Sequence, residues 1–176
     1  MLGITYYVAC SVDGLIADQS GGVDWLSRAQ VSGEDYGYAD FVASIDAMIM
    51  GRRSYEQVLS FGDWPYGDTP CWVVSSRKLQ QAGASVRPTS AEPQAVAADI
   101  RTSGCSHAWL VGGARLAGLF HQHRLITRYI VTVIPTILGS GIPLLSGTDR
   151  LADLELEQTI RYDSGVVQSH YSVGRR

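Results

Sequence analysis

Apolar positions along the chain gather in short, sharply bounded runs separated by polar stretches rich in glycine, proline and serine. Leu2 to Ser11 is β-branched and aromatic and predicts a buried strand. Ala47 to Met50, Cys71 to Val74 and Ala108 to Val111 are runs of four apolar residues. They are too short for helices and do not alternate, so they read as strands covered on both faces. Arg128 to Pro135 is a longer β-branched strand, and Leu154–Tyr162 and Val166–Val173, joined by Asp163-Ser164-Gly165, predict a hairpin. Helical spacing fills the gaps. Tyr38, Phe41, Val42 and Ile45 form one stripe and predict a helix over 34–45. Tyr55, Val58 and Leu59 predict a second helix, Pro93 to Arg101 a third, and Leu116, Leu119 and Phe120 a fourth. Helices alternating with buried strands imply an α/β domain whose mainly parallel sheet carries helices on both faces.

At 176 residues the chain fits one domain, 1–176, long enough to bury about two thirds of its unfolded surface. Its 45% hydrophobic and 18% charged residues are those of a globular protein. A net charge of −3 without a basic run gives no case for nucleic acid, and no apolar segment is long enough to span a membrane. The first residues lack a basic and apolar leader pattern. Cys10, Cys71 and Cys105 form neither a CxxC pair nor a disulfide framework, so a cytoplasmic location is expected, with the three as small core residues.

Three junctions carry the chemistry. At Gly51-Arg52-Arg53-Ser54 a strand runs into a helix whose first turn is basic, an arrangement suited to an anion, or an ordinary turn with two solvated arginines. Ser75-Ser76-Arg77 follows the next strand, and Gly112-Gly113-Ala114-Arg115 follows the one after, opening another helix. Ligands of such sheets sit outside the carboxyl ends of the strands, where these junctions gather. Several anion-holding groups beside one another point to a dinucleotide. Arg52, Ser76 and Arg77 suit a 2′-phosphate and so favour NADPH over NADH. The common GxGxxG fingerprint is absent. The segment Asp18–Leu26, with Gly21 and Gly22, reads either as a lid over a ligand or as a long connection. Glu34 and Asp35 open the first predicted helix and lean towards its apolar stripe, either as end-capping acids or as a functional acid near a cleft.

Taken together these motifs resemble the dihydrofolate reductase fold, and in particular the reductase half of bacterial riboflavin-pathway deaminase–reductases and its stand-alone relatives. The resemblance rests on Ala9-x-Ser11-x-Asp13-Gly14-x-Ile16-Ala17, Trp25, Met50-Gly51-Arg52-Arg53-Ser54-Tyr55-Glu56 and Val74-Ser75-Ser76-Arg77. It continues through Val111-Gly112-Gly113-Ala114-Arg115-Leu116, Thr132 and Ile137-Leu138-Gly139-Ser140-Gly141-Ile142-Pro143-Leu144. It implies a three-layer α/β/α domain with a mostly parallel sheet and an antiparallel C-terminal hairpin. It also implies that Ala9, Ile16 and Ala17 line the nicotinamide of NADPH. Gly51, Arg52, Arg53 and Ser54, with Ser75, Ser76 and Arg77, would hold its phosphates. Val111, Gly112, Gly113, Ala114, Arg115 and Leu116 would cradle the pyrophosphate, with a cis bond between the two glycines. Asp35 matches the acid that binds and helps protonate the acceptor, Glu34 being its neighbour, while Trp25 and Thr132 would face the substrate.

Two departures bear on that substrate. The arginine that pairs with folate's carboxylate is replaced by Thr69, and the first-strand lysine of the riboflavin-pathway reductases by Tyr7. Weak folate affinity is expected. The resemblance thus implies an NADPH-dependent reductase of a small pterin- or pyrimidine-like heterocycle, or a protein of the same fold that binds NADPH without turnover. His121 and His123 read as solvated and no metal site is expected. Trp64 and Tyr66 either stack on a heterocycle or close over the core. The family also implies a possible homodimer.

Overall fold

The computed structural model of the chain describes residues 1–79 and 83–174. Its centre is β3 (Ala47–Gly51), whose residues Ala47 to Met50 are fully buried, as a continuous apolar run requires. Around it β1 (Gly3–Ser11), β4 (Cys71–Val74), β5 (Val86–Thr89), β6 (His107–Gly112) and β7 (Arg128–Ile134) lie parallel in the order β5-β4-β3-β6-β1-β7. The hairpin of β9 (Leu154–Arg161) and β10 (Val167–Val173) completes the eight strands, with β10 antiparallel to β7 and β9 at the edge. Gly165, at φ 82°, turns that hairpin and donates to the Tyr162 carbonyl. A separate ribbon pairs β2 (Leu15–Ala17) with β8 (Ile142–Pro143).

Alternating side chains of the sheet feed two apolar layers. On one face Ile4, Tyr6, Ile49 and Leu110 meet Val96 and Ile100 of α3 (Pro93–Thr102) and Phe120 of α4 (Ala114–Gln122). On the other, Met48, Met50, Val73 and Trp109 meet Tyr55 of α2 (Arg52–Ser60) and Phe41 of α1 (Tyr38–Ala43). Burying each large aliphatic or aromatic side chain contributes about 1.5–3 kcal/mol, so these layers dominate stability. The result is the three-layer, mostly parallel fold that the resemblance implies.

Four local features differ from the sequence reading. The first helix is six residues rather than twelve, because Tyr36 (φ 57°) and Gly37 (φ 74°) are left-handed and break it before Tyr38. Val86–Thr89 is a strand at the sheet's other edge; Arg87 and Pro88 obscure its pattern, and an edge tolerates proline. Asp24–Ala29 is a 3₁₀ helix inside the predicted loop. His121 is not solvated: its ring nitrogens meet Tyr129 Oη at 2.7 Å and the Arg150 carbonyl at 2.8 Å. No helix among the described residues is long and apolar enough to cross a membrane.

Asp13 ties the end of β1 to the segment that leads into β8. Its carboxylate accepts from the N–H groups of Leu138 (3.1 Å) and Gly139 (2.7 Å). The Ser11 hydroxyl, first, and those amides hold its pKa down at about 2. A folded-state value below the unfolded one near 3.9 stabilises above that pH and ceases to as pH falls towards 2. Asp13→Asn is therefore expected to melt below the parent at pH 7, with the gap closing by pH 2 in parallel thermal scans.

Candidate functional site

The three junctions meet at the carboxyl edge of the sheet. Gly51 caps α2 and Gly113 caps α4, neither with a side-chain hydrogen bond, and the two helices leave adjacent strands where Met50 pairs with Gly112. The first-turn N–H groups of both helices thus face the same edge without a side-chain acceptor, the arrangement that holds an anion. The Ser54 hydroxyl accepts the Gly113 N–H at 2.9 Å and locks the two turns together. That amide is consequently occupied, leaving the later amides of α4 to meet a ligand. Gly112 has φ 123°, a conformation essentially closed to other residues, and its bond to Gly113 is cis. A Cβ there would find the Tyr6 ring only at 3.8 Å, so conformation rather than space demands glycine.

Basic side chains surround this edge. Arg52 is engaged by Glu56 one turn on, at 2.7 and 3.0 Å. Arg53, Arg77 and Arg115 are exposed and make no ion pair with any described residue. Ser75 Oγ accepts the Arg77 N–H (3.0 Å) and donates to the Arg77 carbonyl (2.8 Å), a closed turn that presents Ser76 and Arg77 outward.

Ala9 lies on β1 beside Thr132 of β7, and Ile16 and Ala17 lie on β2. β8 passes so close that a Cβ on Gly141 would stand 2.1 Å from the Ala17 carbonyl oxygen. The following segment is curled rather than extended: Asp18 Oδ1 accepts from Ser20 N, Ser20 Oγ and Gly22 N within 2.8 Å. Gln57 of α2 reaches it, donating to the Gly21 carbonyl at 2.9 Å. Trp25 is buried in one cluster with Ala29, Ile134 and Val166, and Ala9 packs against that cluster. The Trp25 indole N–H and that of Trp64 are buried without an acceptor among the described residues.

Asp35 stands before α1, not within it, and is exposed. Its oxygens accept from Gly37 N (2.9 Å) and Ala39 N (3.0 Å), and these bonds, Ala39 first, lower its pKa. Glu34 is also exposed and accepts from Tyr36 N at 2.8 Å. Both acids therefore hold the turn that precedes α1. Trp64 and Tyr66 pack against the core layer under α2. Sequence reasoning missed Gln168. It is buried on β10 opposite Thr132, and its Nε2 donates to Thr132 Oγ1 at 2.9 Å. The available signal was a polar residue in the inward phase of an alternating strand.

Known proteins carry the same frame. The model of the RibD C-terminal domain matches residues 3–168. The chain belongs to the RibD C-terminal domain family. The uncharacterized protein YwjB of Bacillus subtilis is 36% identical over 166 residues, covering 94% of both chains. A crystal structure from Shewanella sp. PV-4, of a provisionally assigned riboflavin biosynthesis protein, superposes with TM-score 0.90 at 27% identity over 99% of this chain and 100% of that one. The diaminohydroxyphosphoribosylaminopyrimidine deaminase/5-amino-6-(5-phosphoribosylamino)uracil reductase of Thermotoga maritima gives 0.74 at 12% identity over 98% of this chain and 57% of that one, which speaks to fold. Family membership supports chemistry of the reductase type.

Proposed function

We propose that this protein is an NADPH-dependent reductase of a small pterin- or pyrimidine-like heterocycle. The observation that carries the reading is the pair of adjoining helix N-termini without side-chain caps, joined by Ser54 and Gly113 and flanked by Arg53, Arg77 and Arg115. A pyrophosphate suits the amides and a further phosphate suits the exposed guanidinium groups. Arg52 and Ser76 belong to the same phosphate site, and Val111, Ala114 and Leu116 complete its wall. NADPH, when bound, supplies the hydride. The chain's own part is to place the ring at Ala9, Ile16 and Ala17, to exclude water with Trp25 and the β2–β8 ribbon, and to manage a proton. Asp35 and Thr132 are the residues proposed to meet the acceptor. Family membership supports the reductase class, and the site's basic edge supports the choice of cofactor.

A second reading, NADPH binding without turnover, is favoured by Asp35 itself. An exposed carboxylate held low by two amides is a poor proton donor at neutral pH. Following NADPH absorbance with dihydrofolate, a pyrimidinone and simple imines, beside a fluorescence titration of NADPH, separates the two. Turnover on any acceptor supports the first, and binding with none supports the second. Asp35→Asn keeps a capping oxygen and is expected to reduce turnover about 100-fold, the low end for a proton-donating group. NADPH affinity is expected to stay within about twofold, since the acid stands apart from the phosphate site. Weakened NADPH binding instead would place Asp35 at the cofactor.

A further inference from the structure

Beneath the turn that carries Asp35, the sheet presents a patch of neutral polar groups. Gln168 Nε2 donates to Thr132 Oγ1 (2.9 Å) and to the Tyr36 carbonyl (3.1 Å), with Tyr7 Oη at 3.4 Å. Gln168 Oε1 lies 2.7 Å from His170 Nε2, and His170 Nδ1 lies 3.3 Å from Arg128 Nη2. Arginine only donates, so His170 Nδ1 accepts, and its Nε2–H is given to Gln168 Oε1. This turns the amide's NH₂ towards Thr132 and Tyr36. The chain of partners ends at Glu157, 2.9 Å from Arg128.

The charges around this patch have a consistent order. Burial, first, and the Arg128 charge lower the His170 pKa, so the imidazole is neutral; burial raises the Tyr7 pKa, so the phenol keeps its proton. The cation of the chain, Arg128, is separated from Tyr7 by His170 and Gln168 and is engaged by Glu157. The covering turn carries the negative charge of Asp35, whose neighbour Tyr36 accepts from Gln168 Nε2 through its carbonyl. Tyr7 is walled by rings, with Phe41 at 4.5 Å, Trp109 at 6.2 Å and Tyr38 at 6.4 Å between centroids. Tyr66 extends the wall at 5.8 Å from Trp109.

We propose that the acceptor held here is a planar heterocycle without a phosphate group, uncharged or cationic, unlike the phosphoribosyl compound named for the Thermotoga reductase. The inference rests on the reductase reading above and narrows its substrate. A phosphate ester brings roughly two negative charges. Among the described residues the groups of this patch are neutral and the adjoining turn carries the Asp35 carboxylate, which is the arrangement that rejects such a ligand. A flat, uncharged ring meets aromatic faces and hydroxyl groups and is subject to no such repulsion.

The test titrates the NADPH-loaded full chain with 5-amino-6-(ribosylamino)uracil and with its 5′-phosphate. The unphosphorylated compound is expected to bind at least tenfold more tightly. Tyr7→Lys, and Tyr38→Lys at the exposed end of the ring wall should the lysine at position 7 impair folding, are expected to narrow that ratio to about threefold or less. Tighter binding of the phosphate by the parent protein overturns the proposal, as does binding of neither compound while NADPH still binds. Failure to bind NADPH at all overturns the cofactor reading, and this one with it.

Discussion

Reversing two charges together, Arg53→Glu with Arg77→Glu, is expected to weaken NADPH binding roughly 300-fold and NADH binding far less. Both guanidinium groups are exposed and have no ion pair among the described residues, so nothing in the fold depends on their charge. Exposed substitutions of this kind shift stability by only about 0.5 kcal/mol. A charge-assisted hydrogen bond contributes about 1.5–3 kcal/mol, and each 1.4 kcal/mol is a tenfold change in affinity. Removing two such hydrogen bonds from one phosphate accounts for the expected figure, and replacing the guanidinium groups with carboxylates adds repulsion. Arg52 is left in place because its partner Glu56 already neutralises it. Parallel fluorescence titrations with the two nucleotides read the result. Equal losses for both would move the arginines away from the phosphate that distinguishes them.

Gly141→Ala is expected to lower the melting temperature by roughly 2–12 °C and to weaken NADPH binding at least tenfold. The new methyl would stand 2.1 Å from the Ala17 carbonyl oxygen and 3.2 Å from its carbon, both backbone atoms that cannot rotate away. Overpacking of this kind costs about 1–3 kcal/mol, and for a chain of this length each kcal/mol shifts the melting temperature by about 2–4 °C. Relief requires β8 to move off β2, which displaces the ribbon proposed to line the nicotinamide. Gly118→Ala is the matched control. It clashes as severely, at 1.9 Å from the Ser146 carbonyl, but on α4 and with the segment after β8 rather than with β2. The control is expected to lose stability while keeping more of its NADPH affinity, measured on the folded fraction at low temperature.

Much of the frame is legible in the sequence because its strands are buried on both faces. Ala47–Met50, Cys71–Val74 and Ala108–Val111 are apolar without interruption, and no other element gives that pattern at that length. Elements set by less than their own residues are harder to read. The β2 and β8 strands are three and two residues long and exist because each pairs with the other across the chain. β5 hides behind Arg87 and Pro88. The first helix is shorter than the predicted 34–45 because backbone at Tyr36 and Gly37 decides where it begins, and its apolar stripe runs past its end to Ile45. The same break explains Asp35, whose place on a helical wheel means little once it precedes the helix. At the site, residue types at the strand ends reveal the anion-holding junctions. They do not reveal that Ser54 occupies the Gly113 amide, that Ser75 closes its own turn, or that Gln168 bridges Thr132 and Tyr36. The first and the last depend on partners 59, 36 and 132 positions away, which no local pattern encodes.

The edge formed by Gly51–Ser54, Ser75–Arg77 and Gly112–Leu116 is proposed as a site for one NADPH. The most direct measurement is an equilibrium fluorescence titration of the purified chain with NADPH and with NADH, repeated at low and high salt. The account predicts saturable one-to-one binding of NADPH, at least tenfold tighter than NADH, with the preference shrinking as salt screens the exposed arginines. Absence of saturable NADPH binding, or equal affinity for the two nucleotides at every salt concentration, would contradict it.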